Sequence, residues 1–201
     1  MFDELLAHDG VDEIVELRSS FGFMAFHGGS LEAGTDDIAR SAAATAGASL
    51  YAVVQPSDLQ WHVPSVRVSP DRSPALARFL THVDVVVAVH DYGRVGMWTS
   101  LLLGGRNRAL AAHVGGHLRT ALTGWEVVDD LDRIPHRLRG LHGDNPVNRT
   151  GGGGVQLELP PRVRGLGPWW DDRPVGERTA VRQALVEGLA AAARGWPGPD
   201  R

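Results

Sequence analysis

The chain contains no cysteine. No disulfide framework, thiolate metal cluster or cysteine nucleophile can be built, and any metal must be held by nitrogen and oxygen. Lysine is also missing, so the basic side chains other than histidine are all arginine. Codon usage in a GC-rich genome accounts for that bias; the functional alternative is a preference for the planar, bidentate grip of guanidinium on carboxylate. No apolar run approaches the about 20 residues that cross a bilayer; the stretch Val83 to Val89 is short and holds Asp84. The amino terminus, Met1 to Gly10, carries acids where a secretory signal carries bases, so a soluble, cytoplasmic protein with no membrane partner is expected. Positive charge is not in excess either. A formal net charge of −4 argues against a nucleic-acid partner, because counterion release needs a basic face.

What is present is ordinary for a globular protein: 201 residues, 43% hydrophobic and 22% charged, with no internal repeat and no linker. That length suits one domain over residues 1–201. Short runs rich in valine, leucine and phenylalanine alternate with alanine-rich stretches at helical spacing, the pattern of an α/β layered domain. Strands are expected at Gly22 to Phe26, Ser49 to Val54, Val83 to Val89, Ser100 to Leu103, Glu126 to Val128 and Val155 to Leu159. Helices are expected at Asp36 to Ala46, with Thr35 as N-cap, and at Pro74 to Thr81, Arg106 to Thr120 and Pro174 to Arg194. The proline-bearing segment Ser57 to Pro74 reads as a surface excursion, and such loops are often functional.

Two expected strands end in histidine. His27 closes the first, is followed by Gly28 and Gly29, and precedes Glu32; the glycines allow a tight loop that returns the carboxylate to the imidazole. His90 closes the Val83 to Val89 run. Ligands in open α/β sheets bind beyond the carboxyl ends of strands. If these strands are neighbours, His27, Glu32 and His90 converge there as a two-histidine, one-carboxylate set that leaves an open position on zinc for water. With nine histidines in the chain, two can also reach strand ends by chance, and the spacing alone leaves both readings open.

The segment HGGSLEAGTDDIA, His27 to Ala39, resembles the amino-terminal signature of the poly-γ-glutamate hydrolase family. VAVHDYG, Val87 to Gly93, is similar to that family's second histidine motif, and NPVNRTGGGGVQLELP, Asn145 to Pro160, to its carboxy-terminal block. The segment from Trp61 to Ser65 is a further, weaker match. The resemblance implies a carboxypeptidase-like fold, a single three-layer α/β/α domain with a central mixed, mostly parallel sheet. It also implies a zinc hydrolase of γ-glutamyl or related amide bonds, with His27, Glu32 and His90 as metal ligands and Glu158 as the carboxylate that activates water. Ser30 and Asp91 stand where that pattern favours glycine.

The alternation Val155-Gln156-Leu157-Glu158-Leu159 puts Gln156 and Glu158 on the face opposite the aliphatic residues, as a general base at a strand end requires; a solvated edge strand would show the same pattern. Arginines 133, 137, 139, 149, 162 and 164 flank the glycine run Gly151 to Gly154. Arg149 together with Asn148 is the first choice for a substrate carboxylate, because the resemblance to carboxypeptidases implies such an Asn-Arg pair, though its order along the chain differs; Arg162 and His62 are further substrate contacts, whereas Arg133, Arg137 and Arg139 read as surface ion pairs. An anionic peptide is the expected partner. Rival readings are an amidase or deacylase of small N-acyl amino acids, and a non-catalytic domain with a vestigial metal site. His113 and His117 lack a following carboxylate and read as surface or packing residues, and the turn at Gly104-Gly105-Arg106 lacks a nucleotide fingerprint. Trp169-Trp170 reads as core packing or a lid contact.

Overall fold

The computed structural model describes residues 1–167 and 171–198, so the Trp169-Trp170 pair lies outside the described residues. The elements run α1 (Phe2–Leu6), β1 (Asp12–Glu16), β2 (Phe21–Gly29), α2 (Thr35–Ala46), β3 (Ser49–Gln55), α3 (Pro74–His82), β4 (Val85–Asp91), β5 (Ser100–Leu103), α4 (Arg108–Ala121), β6 (Glu126–Val128), β7 (Gly154–Leu159) and α5 (Val175–Gly195). The strands form one seven-stranded sheet in the order β1-β3-β2-β4-β7-β5-β6. β3, β2, β4 and β7 run parallel, β1 is antiparallel to β3, and β5 is antiparallel to β7 but parallel to β6. The sheet is thus mixed and mostly parallel, and its central strands are buried along almost their whole length.

Side-chain alternation along each strand feeds two cores. On one face Phe21, Phe23, Leu101 and Leu157 pack against Ile38 of α2, Leu110 of α4 and Leu189 of α5. On the other, Met24, Phe26, Tyr51 and Val86 meet Phe2 of α1, Leu76 and Phe79 of α3, and Val63 and Val68 from the excursion between β3 and α3. Helices therefore cover both faces, as three layers require. Side chains start two of the helices. Ser73 Oγ accepts the Leu76 amide at 2.9 Å with Pro74 following it, and Asn107 Oδ1 accepts the Leu110 amide at 2.8 Å.

Several expected boundaries are corrected by local chemistry. Thr35 is the first helical residue rather than the N-cap, because its hydroxyl donates to the Glu32 carbonyl at 2.7 Å. Gly34, at φ 83°, takes the cap position. Helix α4 starts at Arg108, since Asn107 caps it. Strand β4 starts at Val85, because Val83 still ends α3. Sequence patterning missed α1 and β1 altogether. β1 is a short edge strand whose residues are exposed or half-buried, so its charged residues leave no alternation to read. No described helix is long and apolar enough to cross a membrane.

The connections place the site. From β2 the chain passes through α2 to β3 on one side, then through α3 to β4 on the other side of β2. The chain thus changes direction between β2 and β4, and beyond their carboxyl ends a crevice opens. Their pairing stops at Met24 opposite Ala88, and β2 carries an irregularity between Ala25 and Gly28. Phe26 and His27 are thereby released from the ladder with β4 while still buried.

Candidate active site

His27 at the end of β2 and His90 at the end of β4 face one another across the crevice, ring centroids 5.2 Å apart, and Phe26 presents its ring edge-on to both at 4.7 Å. The Gly28-Gly29 turn brings Glu32 back between them, with its amide bonded to the His27 carbonyl at 2.9 Å. Glycine is required there. Gly29 has φ 73°, and a Cβ would overlap the Gln55 carbonyl oxygen. Glu32 Oε1 lies 2.7 Å from His27 Nδ1, Oε2 lies 3.2 Å from His90 Nδ1, and the Asp91 amide donates to Oε2 at 3.2 Å. All three side chains are buried, and their ligand atoms lie within 4.8 Å of one another.

This donor set fits a cation. His27 Nε2 is 2.8 Å from the Val63 carbonyl, which can only accept, so Nε2 carries hydrogen and the neutral ring has its lone pair on Nδ1. That lone pair faces a carboxylate oxygen at hydrogen-bond distance. Two acceptors so placed need a proton or a metal between them, and a carbonyl behind the histidine is the usual outer support of a metal ligand. Electrostatics agree. Burial would raise the Glu32 pKa, but His90 and His27 outweigh it and hold the carboxyl well below its usual range. Burial would lower the His90 pKa, but Glu32, Glu158 and Asp91 raise it to about 9.

Glu158 stands directly opposite His90 in the β4–β7 register. Strand β7 is central rather than at an edge, and Glu158 is buried with Oε2 lacking any hydrogen-bond partner among the described residues. Burial raises its pKa to about 7 against the lowering effect of His90. Its other oxygen accepts from Gln156 Nε2 at 2.7 Å, and Asn145 Nδ2 donates in turn to Gln156 Oε1 at 2.7 Å. The sequence pattern placed Gln156 on the face of Glu158 but carried no signal for the role of Asn145.

These groups floor a cleft of about 780 Å³, within the size of small-molecule sites. His62 lies at its rim, 4.9 Å from the His27 ring, with a pKa lowered by burial and by His27. The opposite wall is basic: Arg106, His136, Arg137, Arg139 and His142 line it. A second cleft of about 660 Å³ shares Glu32, His62, Asp91 and Arg137 and extends past Arg94.

The expected substrate arginines are placed differently. Arg149 is exposed and Arg162 half-buried, and neither lines either cleft. Asn148 is also outside the lining; its amide donates to the Gly140 and His142 carbonyls and accepts the Arg106 amide, so it shapes the cleft wall from behind. Arg164 is buried beneath the site, donating to the Ala33 carbonyl at 2.6 Å and pairing with Asp91 at 2.8 Å. Arg133 does pair with Glu126, and Arg139 reaches Asp132 at 4.0 Å, as surface pairs. Arg137 departs from that expectation: among the described residues it makes no ion pair or side-chain hydrogen bond, and it faces both clefts. Chain order could not show which arginines share a wall.

A mixed α/β sheet with a buried His-Glu-His group that could hold a metal at its switch point is similar in fold to carboxypeptidase-like proteins. Comparison with known families assigns the chain. The family model for poly-γ-glutamate hydrolase matches residues 2–166, and the chain belongs to that family; it is an enzyme, a hydrolase. Among solved structures, a bacteriophage poly-γ-glutamate hydrolase is similar at TM-score 0.69 and 23% identity, over 90% of this chain and 89% of that one. The apo, zinc-free form of YNDL is similar at TM-score 0.70 and 21% identity, with the same coverage of 90% and 89%. A candidate carboxypeptidase from Burkholderia mallei shares the fold at TM-score 0.53 and 9% identity, over 92% of this chain and 59% of that one. No match was found among curated proteins by sequence.

Proposed function

We propose that this hydrolase cleaves γ-glutamyl or related amide bonds in an anionic peptide, with zinc held by His27, Glu32 and His90 and with Glu158 as general base. The observation that carries the reading is the buried pair of features at the strand ends: facing acceptors on His27 and Glu32, and beside them a Glu158 carboxylate oxygen with no hydrogen-bond partner among the described residues. Zinc in such a site lowers the pKa of water and polarises a carbonyl. Glu158 Oε2 takes the proton from the attacking water and returns it to the departing amine; a pKa near neutrality suits both transfers. His62, at the rim 4.9 Å from the His27 ring, would donate to the carbonyl oxygen as it gains charge. Arg106 and Arg137 on the basic wall are suited to the substrate's free carboxylates. The continuation of the site into a second cleft favours an extended chain over a small N-acyl amino acid.

The test begins with protein purified without chelator. His27→Ala and His90→Ala should each lose stoichiometric zinc and activity together, whereas Glu158→Gln should keep zinc and lose turnover by at least about 100-fold. Activity retained by Glu158→Gln would refute the base, and faster cleavage of N-acyl glutamates than of γ-linked polymer would refute the substrate.

A further inference from the structure

Behind Glu158 lies a buried chain of side-chain amides whose direction is dictated by one backbone group. The Val147 N–H points at the Asn145 side chain at 3.2 Å, and because an N–H can only donate, the atom facing it must be Asn145 Oδ1. Asn145 then presents Nδ2, which can only donate, to Gln156 at 2.7 Å, so the Gln156 atom there must be Oε1. Gln156 is left with Nε2 toward Glu158, donating to Oε1 at 2.7 Å. Each amide orientation follows from the one before it. No rotation of a single amide is possible without setting acceptor against acceptor, which is costly at side chains as buried as those of Asn145, Gln156 and Glu158, 3%, 6% and 3% exposed. Gly140 packs against the chain at φ 62°, where a Cβ would lie 2.5 Å from Gln156 Oε1.

We propose that Asn145 and Gln156 are positioning residues that make Glu158 a one-sided base. They hold its Oε1 permanently as an acceptor and leave Oε2 as the single oxygen open to a proton. A carboxylate with two free oxygens could pick up the proton on the inner one and rotate it away from the leaving group. Here the inner oxygen faces an N–H, so the O–H bond formed when water is deprotonated can lie only on the cleft side, where the amine receives it. The inference rests on the reading of Glu158 as base, and reaches beyond it to how that base is aimed.

Two substitutions test the chain. Asn145→Asp keeps the shape and the bond to Val147 N–H but offers Gln156 an acceptor, which turns its amide and sets Gln156 Oε1 against Glu158. Gln156→Met keeps the volume and removes the donor. Each should lower kcat by about 10–100-fold, the usual cost of losing an outer support, with KM and zinc stoichiometry unchanged. In the Gln156→Met background Asn145→Asp should cause less than a two-fold further loss, because its message passes only through Gln156. In metal-free protein, the side-chain amide protons of Gln156 should appear as a resolved, slowly exchanging NMR pair that shifts in Asn145→Asp. Full kcat in either variant, equal losses of zinc and kcat, or additive losses in the double variant would overturn the proposal. Glu158→Gln, assayed alongside, separates the two failures: if it is inactive while Asn145→Asp is fully active, only the positioning role falls, and if it is active, the base falls and the positioning role with it.

Discussion

The buried guanidinium of Arg164 pairs with Asp91, the residue immediately after metal-ligand candidate His90, and the same guanidinium donates to the carbonyl of Ala33, the residue immediately after Glu32. One side chain thus ties the two loops that carry the proposed ligands. Asp91, which departs from the glycine favoured by the resembling pattern, is what gives Arg164 its anionic partner. Arg164→Met should cost about 2–3 kcal/mol of stability, less than the loss of a fully buried ion pair because Asp91 reaches the cleft. It should also weaken zinc binding by about 10-fold or more, measured by competition with a chromophoric chelator. Unchanged zinc affinity would show that the tie serves stability alone.

Protonation and metal binding should pull the stability of this protein in opposite directions. Against ordinary values of 6.5 and 4.5, His90 is raised to about 9 by its carboxylate neighbours in spite of burial, and Glu158 to about 7 by burial. The His90 contribution is complete below pH 6.5 and is lost as pH rises through 9; that of neutral Glu158 is complete below 4.5 and lost through 7. Over that window the folded state binds more protons than the unfolded one, so metal-free protein gains stability as pH falls from about 9 toward 5. Glu32, held low, contributes only above its ordinary 4.5 and reverses the trend in acid. Zinc competes with these protons, so zinc-induced stabilisation should grow with pH. Melting temperatures with chelator and with zinc across this range check both slopes, and parallel curves would remove zinc from this site.

Two glycines of the loop that carries Glu32 should respond very differently to alanine. Gly29 and Gly34 both have positive φ, but only at Gly29 does a Cβ run into backbone, that of Gln55; nothing lies within 4 Å at Gly34. Gly34→Ala should cost about 1 kcal/mol, the left-handed penalty alone. Gly29→Ala should cost about 2 kcal/mol more, because strand β3 must also shift. Urea unfolding midpoints of the metal-free variants measure the difference.

Substrate selection should follow the cleft wall and not the chain neighbourhood of the glycine run. Arg137→Ala and Arg106→Ala should raise KM for a γ-linked glutamate polymer by about 10-fold each, the worth of a charge-assisted contact, with kcat little changed. Arg149→Ala and Arg162→Ala should leave KM within two-fold. A KM effect confined to Arg149 would restore the assignment suggested by its place beside Asn148.

Much of the fold could be read locally. Strands β5 and β6 end where their aliphatic runs end, and the glycine-rich loop after His27 signals a tight return because the backbone conformation it needs is available to few other residues. Edge strand β1 could not be read, because its charged residues and its exposed or half-buried positions carry no alternation. The excursion after β3 was legible as irregular, but its delivery of the Val63 carbonyl to His27 was not, since that contact spans 36 positions.

The sequence by itself determined the chemistry available: histidines and a carboxylate at strand ends, no thiolate, and Glu158 on the polar face of its strand. Those are properties of composition and of a two-residue period, which the chain carries locally. Only the tertiary structure decided which groups act together. Strand order put Glu158 beside His90, across a sequence gap that no pattern spans, and burial between β4 and β5 turned an ordinary carboxylate into one titrating near neutrality. It likewise made Arg164, one of the arginines flanking the glycine run, a buried brace and moved Arg137 from surface pair to open cleft wall. Neighbourhood and solvent access set what a charged group does, and both come from packing rather than from order along the chain.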